Sequence, residues 1–134
     1  MPASHLPHKI IQKDGQLLYT RPSGEMVPMS KLALICRFRI DKICEATDVS
    51  PRHLRRMFDQ TLGISPKQWL KLERMVIARN ILKGDGSIKD IGEYLGFMSQ
   101  KDFYREFRDF YKIGPSSYRD QQAERVMTQL GWSN

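Results

Sequence analysis

Two clusters of basic and polar side chains occupy matching places in two similar stretches of this 134-residue chain. The stretches begin at Ser50 and Ser99, 49 residues apart, and both carry apolar residues three or four positions apart, as an amphipathic helix does. The polar positions in between are Arg52, Arg55 and Arg56 in the first stretch and Gln100, Lys101, Tyr104 and Arg105 in the second. Arginine can donate two hydrogen bonds to guanine O6 and N7, and glutamine can pair similarly with adenine. Both clusters therefore predict contacts with the bases of duplex DNA.

The repetition gives these clusters more weight than either has alone. A single basic helix face is most often only solvated, but here each cluster follows a short helix and a turn, so a helix–turn–helix unit occurs twice. The similarity continues downstream, where residues 63–69 align with residues 112–118. Because duplex DNA is itself periodic, two such units predict two recognition helices that enter successive major grooves.

Residues typical of helix ends predict the elements that position the clusters. Ser50 is an N-cap with Pro51 after it, Gly63 ends that helix, and Ser65 with Gln68 forms a capping box. We predict helices over about 30–36, 41–47, 51–62, 66–83, 87–94, 100–111 and 115–130. The apolar stripe of the two recognition helices, expected to face the core, consists of Leu54, Met57, Phe58, Phe103, Phe107 and Phe110. The eighteen-residue helix over 66–83 would be about 27 Å long, a length compatible with adjacent major grooves about 34 Å apart.

The two ends of the chain carry patterns of their own. Residues 9–19 place Asp14-Gly15 between two β-prone runs and predict a β-hairpin, which we expect to brace the first helix; an arm that reaches a partner is the alternative. At the other end we expect core or hairpin packing, with a docking surface as the alternative, for the apolar residues Val126, Met127, Leu130 and Trp132.

Net charge, cysteine content and the length of the apolar runs limit the kinds of protein that this chain can be. The net charge is +7, of which residues 1–30 contribute +1 (three basic, two acidic) and residues 31–134 contribute +6 (nineteen basic, thirteen acidic). The basic excess thus accompanies the repeat, as polyanion binding requires, although many basic proteins bind no nucleic acid. Two cysteines, Cys36 and Cys44, cannot form a structural zinc site and are expected to be small core residues in a reducing compartment. No apolar run is long enough for a membrane span, so we expect a cytoplasmic protein.

Over about residues 40–119 the chain resembles the AraC/XylS family of transcription regulators. The resemblance is carried by Ser50–Phe58, by Gly63-Ile64-Ser65-Pro66, by Arg74 with Ala78 and Leu82, and by residues 88–119, which include Gly96-Phe97, Pro115 and Tyr118-Arg119. It implies an all-α fold of two helix–turn–helix subdomains joined by a long linker helix, here with a short N-terminal β-hairpin. It also implies DNA binding by a regulator, usually an activator that contacts RNA polymerase.

The resemblance also assigns roles to residues. The family's base-facing positions fall on the seven polar residues named first, with Asp102 beside them. Contacts to DNA phosphates are expected from helix N-termini and from Ser65, Lys67 and Ser116.

Three residues depart from the family pattern. Gly92 stands where the family prefers alanine and should weaken its helix by about 1 kcal/mol. Lys112 replaces the helix-ending glycine, so we expect the second turn to be built differently, and Gly114 replaces the capping serine.

These observations predict a sequence-specific DNA-binding regulator with no catalytic residues, no cofactor and no metal. We divide it into an N-terminal segment, 1–29, and a DNA-binding domain, 30–134, with helix–turn–helix units over about 40–63 and 87–111. Twenty-nine residues cannot enclose a small-molecule effector pocket, so the chain is either a stand-alone regulator or part of a longer one. Two alternatives remain: a sequence-neutral DNA-packaging or protein-interaction module, and an enzyme such as the DNA-alkylation repair protein that shares this arrangement but needs a four-cysteine zinc site.

Overall fold

The computed structural model of the chain describes residues 9–131. Three strands, β1 (Lys9–Lys13), β2 (Gln16–Thr20) and β3 (Met26–Pro28), precede seven helices. The helices are α1 (Met29–Ile35), α2 (Ile40–Thr47), α3 (Pro51–Leu62), α4 (Pro66–Ile81), α5 (Ile88–Tyr94), α6 (Gln100–Tyr111) and α7 (Pro115–Gln129). The chain divides between Glu73 and Arg74, within α4, into two compact units. The predicted helical fold is therefore confirmed.

The predicted hairpin is confirmed, and a third strand extends it. Asp14 and Gly15 both have positive φ (52° and 77°), which is the backbone that a tight two-residue hairpin turn needs. The strands pair antiparallel in the order β1-β2-β3, with Ile10 opposite Tyr19 and Tyr19 opposite Val27. The third strand was not predicted from the sequence.

The sheet packs against the helices of the first unit and does not project as an arm. Its inward side chains Ile10, Leu17 and Tyr19 are buried, β1 lies against α3, and β2 and β3 lie against α1. Two hydrogen bonds fix this packing: the Tyr19 hydroxyl donates to the Thr47 carbonyl (3.2 Å), and the Thr61 hydroxyl donates to the Ile10 carbonyl (3.1 Å). The sheet therefore braces the first helix, α1, as the sequence favoured, and it braces α3 as well.

The core of the second unit is organised around Arg74. Its Nε donates to the Leu95 carbonyl (3.0 Å), and its guanidinium carbon lies 3.5 Å from the centroid of the Phe97 ring. Glu106 lies 3.7 Å from the same guanidinium and compensates part of its charge, while burial lowers the pKa of Arg74. One side chain thus ties α4, α6 and the turn after α5 together.

Two expectations about apolar side chains are wrong. Phe110 is not in the core but is 36% exposed; Tyr111 turns inward instead, and its hydroxyl donates to the Met75 carbonyl (2.9 Å). Val126, Met127 and Leu130 are exposed and do not belong to the core, while Trp132 lies outside the described residues.

The second turn begins with the same backbone conformation as the first. Lys112 adopts the left-handed conformation (φ 65°, ψ 18°) that Gly63 adopts at the end of α3 (φ 72°, ψ 13°). Its backbone N–H donates to the Arg108 carbonyl (2.7 Å), as the Gly63 N–H donates to the Asp59 carbonyl (3.0 Å). The expectation of a different turn is therefore wrong for the backbone at Lys112.

The cysteines lie in the first unit. Cys36 is buried and Cys44 is half-buried; both are free thiols, and burial raises the pKa of each. Both thiols therefore stay protonated at neutral pH, and Cys36 serves as a small apolar core residue.

Candidate nucleic-acid interface

Helix α3 has one buried and one basic face. Its first turn is fixed by the Ser50 hydroxyl, which accepts from the His53 N–H (3.1 Å), and its last by left-handed Gly63. The 3.6-residue helical period then places Leu54, Met57 and Phe58 in the core. The arginines at positions 52, 55 and 56 all point to the opposite, exposed side.

These arginines border a surface cleft of about 420 Å³ between α3 and the start of α4. Across the cleft, the capping box predicted from the sequence is present: the Gln68 side-chain oxygen accepts from the Ser65 N–H (3.1 Å), and the Ser65 hydroxyl accepts from the Gln68 N–H (3.1 Å). The full lining is Arg52, Arg55, Arg56, Asp59, Gly63, Ile64, Ser65 and Gln68. The cleft therefore combines three cations and one carboxylate, that of Asp59, with a helix N-terminus, so that it has an excess of positive charge and attracts anions.

Within residues 9–131, no carboxylate forms an ion pair with Arg52, Arg55 or Arg56. Their side chains can therefore contact a ligand without first breaking an ion pair there. Lys67 is exposed on the first turn of α4 but does not line the cleft.

Two polar side chains of the cleft, Asp59 and Gln68, were not assigned to the site from the sequence, and neither were Gly63 and Ile64. Asp59 lies one helical turn after Arg55 and Arg56 on the same face, so the helical period alone could have identified it. Gln68 was assigned only to the capping box, and its place in the cleft depends on how closely α4 approaches α3.

Helix α6 repeats this design with different side chains. The Ser99 hydroxyl accepts from the Asp102 N–H (3.1 Å), Phe103 and Phe107 are fully buried, and a polar face is left toward solvent. On that face Gln100, Lys101 and Arg105 are exposed and Tyr104 is half-buried.

Two side chains of the α6 face are held by other residues of the chain. Arg105 forms an ion pair with Asp102, with 2.5 Å between Nη2 and Oδ1. The Tyr104 hydroxyl is hydrogen-bonded to the hydroxyl of Ser116, in the first turn of α7. The structure thus brings together Tyr104 and Ser116, which the sequence assigned separately to base and phosphate contacts.

The N-terminus of α7 lacks a side-chain cap. Gly114 occupies the N-cap position, as predicted from the absence of the family's serine, and no side chain accepts there. The Tyr104 ring lies close by, since a Cβ atom placed on Gly114 would be 3.8 Å from its Cε1 atom. The polar groups at this helix end therefore include the backbone N–H groups and the Tyr104–Ser116 pair.

None of the helices in residues 9–131 is both long enough and apolar enough to cross a lipid bilayer.

Comparison with known proteins identifies the family. A family model described as a helix-turn-helix domain matches residues 43–121, which is 79 of the 134 residues. The matched range includes both polar faces described above.

Curated relatives match the same part of the chain. The regulatory protein PocR of Salmonella typhimurium is 33% identical over 87 residues, which are 64% of this chain and 29% of PocR. The multiple antibiotic resistance protein MarA of Escherichia coli is 31% identical over 81 residues, 60% of this chain and 64% of MarA. The chain thus matches less than a third of PocR and less than two thirds of MarA.

Solved structures agree with these matches. An AraC-type transcriptional regulator from Chromobacterium violaceum is 31% identical with a TM-score of 0.59, over 72% of this chain and 88% of that one. The DNA-binding domain of the global transcriptional factor AdpA, crystallised with a target DNA, is 26% identical with a TM-score of 0.61, over 71% of this chain and 89% of that one. The chain belongs to the AraC/XylS family of helix-turn-helix transcription regulators.

Proposed function

We propose that this protein is a sequence-specific DNA-binding transcription regulator without catalytic activity. The observation that carries the proposal is the exposed face of α3, where three arginines without an ion pair in residues 9–131 lie beside a helix N-terminus. Such a face suits the major groove, where arginine can bind guanine bidentately while nearby cations bind the backbone.

Base contacts are proposed for both recognition helices. On α3 they come from Arg52, Arg55 and Arg56. On α6 they come from Gln100, Lys101, Tyr104 and Arg105. The two helices are proposed to enter successive major grooves of one duplex.

Phosphate contacts are proposed for the neighbouring helix starts. Lys67 is exposed on the first turn of α4 and supplies a mobile cation. Ser65 and Ser116 already bond within the chain, to Gln68 and Tyr104, so their hydroxyls are oriented before a phosphate arrives.

We further propose that residues 30–134 form the DNA-binding domain and that the sheet of the N-terminal segment stabilises it. Transcription activation through contact with RNA polymerase, in the cytoplasm, is the regulatory role that the family membership favours. No small-molecule effector pocket is proposed for this chain.

Selection of binding sites from random duplex DNA, followed by gel-shift competition with a scrambled duplex, tests the proposal. We expect one enriched site, and we expect Arg55→Ala and Arg56→Ala each to weaken binding to it by about 1–3 kcal/mol per lost base contact. Arg125→Ala is the matched control, because it removes an equal charge from an exposed position on α7.

Two outcomes would contradict the proposal. Absence of any enriched site would indicate a sequence-neutral DNA-packaging protein, whose binding depends on phosphates and salt alone. An unchanged ratio between selected and scrambled duplex in both arginine variants would remove Arg55 and Arg56 from base recognition.

A further inference from the structure

The two recognition helices differ at one position that bears on specificity. The offset of 49 residues aligns Arg56 with Arg105 and His53 with Asp102. The second helix thus has a carboxylate one turn before its arginine, where the first helix has an imidazole. In the structure this carboxylate is bonded to the arginine, with 2.5 Å between Asp102 Oδ1 and Arg105 Nη2.

The position of Asp102 in its helix keeps this carboxylate in place. Its backbone N–H is bonded to the Ser99 hydroxyl (3.1 Å), and it lies in the first turn of α6, where the helix dipole favours a negative charge. The ion pair is open to solvent, with 61% of the Arg105 side chain and 41% of the Asp102 side chain exposed. Its function is therefore not explained by stability, because an exposed pair of this kind contributes little.

The geometry of the pair leaves most of the guanidinium available. The bond to Asp102 uses one terminal nitrogen of Arg105, and a guanidinium has five N–H donors. The remaining donors can still form the two parallel hydrogen bonds that recognise O6 and N7 of a guanine. The carboxylate also repels phosphate oxygens, which are the nonspecific alternative for a free arginine.

We infer that Asp102 is a positioning residue that presents Arg105 to a guanine in the major groove and keeps it from binding phosphates. The inference rests on the proposed function and adds a division of roles within α6. Asp102 does not itself contact DNA; it restricts Arg105, whose flexible side chain would otherwise lose rotamer freedom on binding.

The test compares the full chain with its Asp102→Ala variant on the selected site and on duplexes altered at single base pairs. At one base pair, we expect the preference of the variant for guanine over the other bases to be at least about fivefold weaker than that of the wild type. This is the lower end of the discrimination that a bidentate arginine provides. Affinity for scrambled duplex should rise, since Arg105 is then free to bind the DNA backbone. The slope of log affinity against log salt concentration should steepen by the amount expected for up to about one additional phosphate contact.

Two further variants separate positioning from other roles. Asp102→Asn keeps an oxygen that can accept from Arg105 but removes the charge, so its guanine preference should lie between wild type and Asp102→Ala. In an Arg105→Ala background, Asp102→Ala should change base preference no further, because the residue that it positions is gone. Thermal melts of each variant check that α6 remains folded.

The results distinguish this inference from the proposed function. If the wild-type protein has a selected site but Asp102→Ala leaves its base preferences unchanged, the inference is overturned and the proposed function stands. An equal effect of Asp102→Ala with and without Arg105 also overturns it, since the carboxylate would then act by itself. A wild-type protein without any base preference overturns both.

Discussion

Substituting Gly92 by alanine sets two effects of known size against each other. Gly92 is a buried residue inside α5, where alanine is normally better by about 1 kcal/mol because glycine loses more backbone freedom on folding. A Cβ atom at this position, however, would lie 3.2 Å from Cδ2 and 3.3 Å from Cβ of Phe103. These distances are shorter than an ordinary van der Waals contact between carbon atoms, so Phe103 would have to move.

The surroundings of Phe103 decide which effect is larger. Its side chain is fully buried, and the rings of Phe97 and Phe107 lie 5.1 and 6.0 Å away, centroid to centroid. An added methyl group in a core this closely packed costs about 1–3 kcal/mol, more than the gain in helix propensity of about 1 kcal/mol. We therefore expect Gly92→Ala to lower the free energy of unfolding by about 0–2 kcal/mol. The departure from the family's alanine is thus a packing requirement of this chain.

Urea denaturation followed by far-ultraviolet circular dichroism measures this difference, and a double-mutant cycle identifies its cause. In a Phe103→Leu background the steric conflict is relieved, so the same Gly92→Ala change should raise stability by up to about 1 kcal/mol. If Gly92→Ala stabilises the otherwise unchanged protein, Phe103 can yield, and the reasoning from its close packing is wrong.

Three other predictions concern single side chains. Arg74→Lys should lower the free energy of unfolding by about 1–3 kcal/mol in urea denaturation, because an ammonium cannot both bond the Leu95 carbonyl and stack on the Phe97 ring; a change within error would contradict this. Burial raises the pKa of Glu73, so at neutral pH its ionised form costs stability, and this cost disappears as the pH falls and the folded protein takes up the proton before the unfolded one. Glu73→Gln should therefore stabilise the protein at pH 7 and make no difference below the unfolded pKa of about 4.3, as thermal melts across this range would show. Arg55→Ala should weaken binding to the selected site more than Arg105→Ala in the same gel-shift assay, since Arg105 is already paired with Asp102; the reverse order would contradict it.

The helices could be predicted because their ends depend on local chemistry. Both recognition helices have the predicted bounds. The Ser50 hydroxyl caps the first as predicted, and Ser99, at the matching position 49 residues later, caps the second. The hairpin is similarly local, since the Asp14-Gly15 turn fixes the register of its strands.

Features that depend on contacts distant in sequence were missed. The strand Met26–Pro28 has only three residues and forms because it pairs with β2. It is too short to show the alternation of apolar and polar residues by which a strand is predicted. Phe110 has the spacing of a core residue, yet Tyr111 takes the inward place because its hydroxyl reaches the Met75 carbonyl, 36 residues away in the chain. Neither contact leaves a signal in the local sequence.

In the candidate site, too, the features set by local sequence could be predicted and those set by distant contacts could not. The exposed side of α3 follows from the helical period alone, because once Leu54 and Phe58 are buried, Arg52, Arg55 and Arg56 have only solvent to face. The cleft that these arginines border could not be predicted, since it depends on the approach of α4.

The two recognition helices share a backbone design but differ in the bonds that their polar side chains already form before a ligand binds. The arginines of α3 form no ion pair within residues 9–131, so a ligand can contact them without first displacing a bonded carboxylate. On α6, Arg105 is paired with Asp102 and Tyr104 with Ser116, so a ligand must either replace these bonds or use the donors that they leave over. A contact that replaces an existing bond adds little affinity but is sensitive to geometry, because a poorly fitting base leaves the polar groups unsatisfied. In the proposed complex, α3 should therefore supply most of the affinity, and α6 should contribute mainly discrimination.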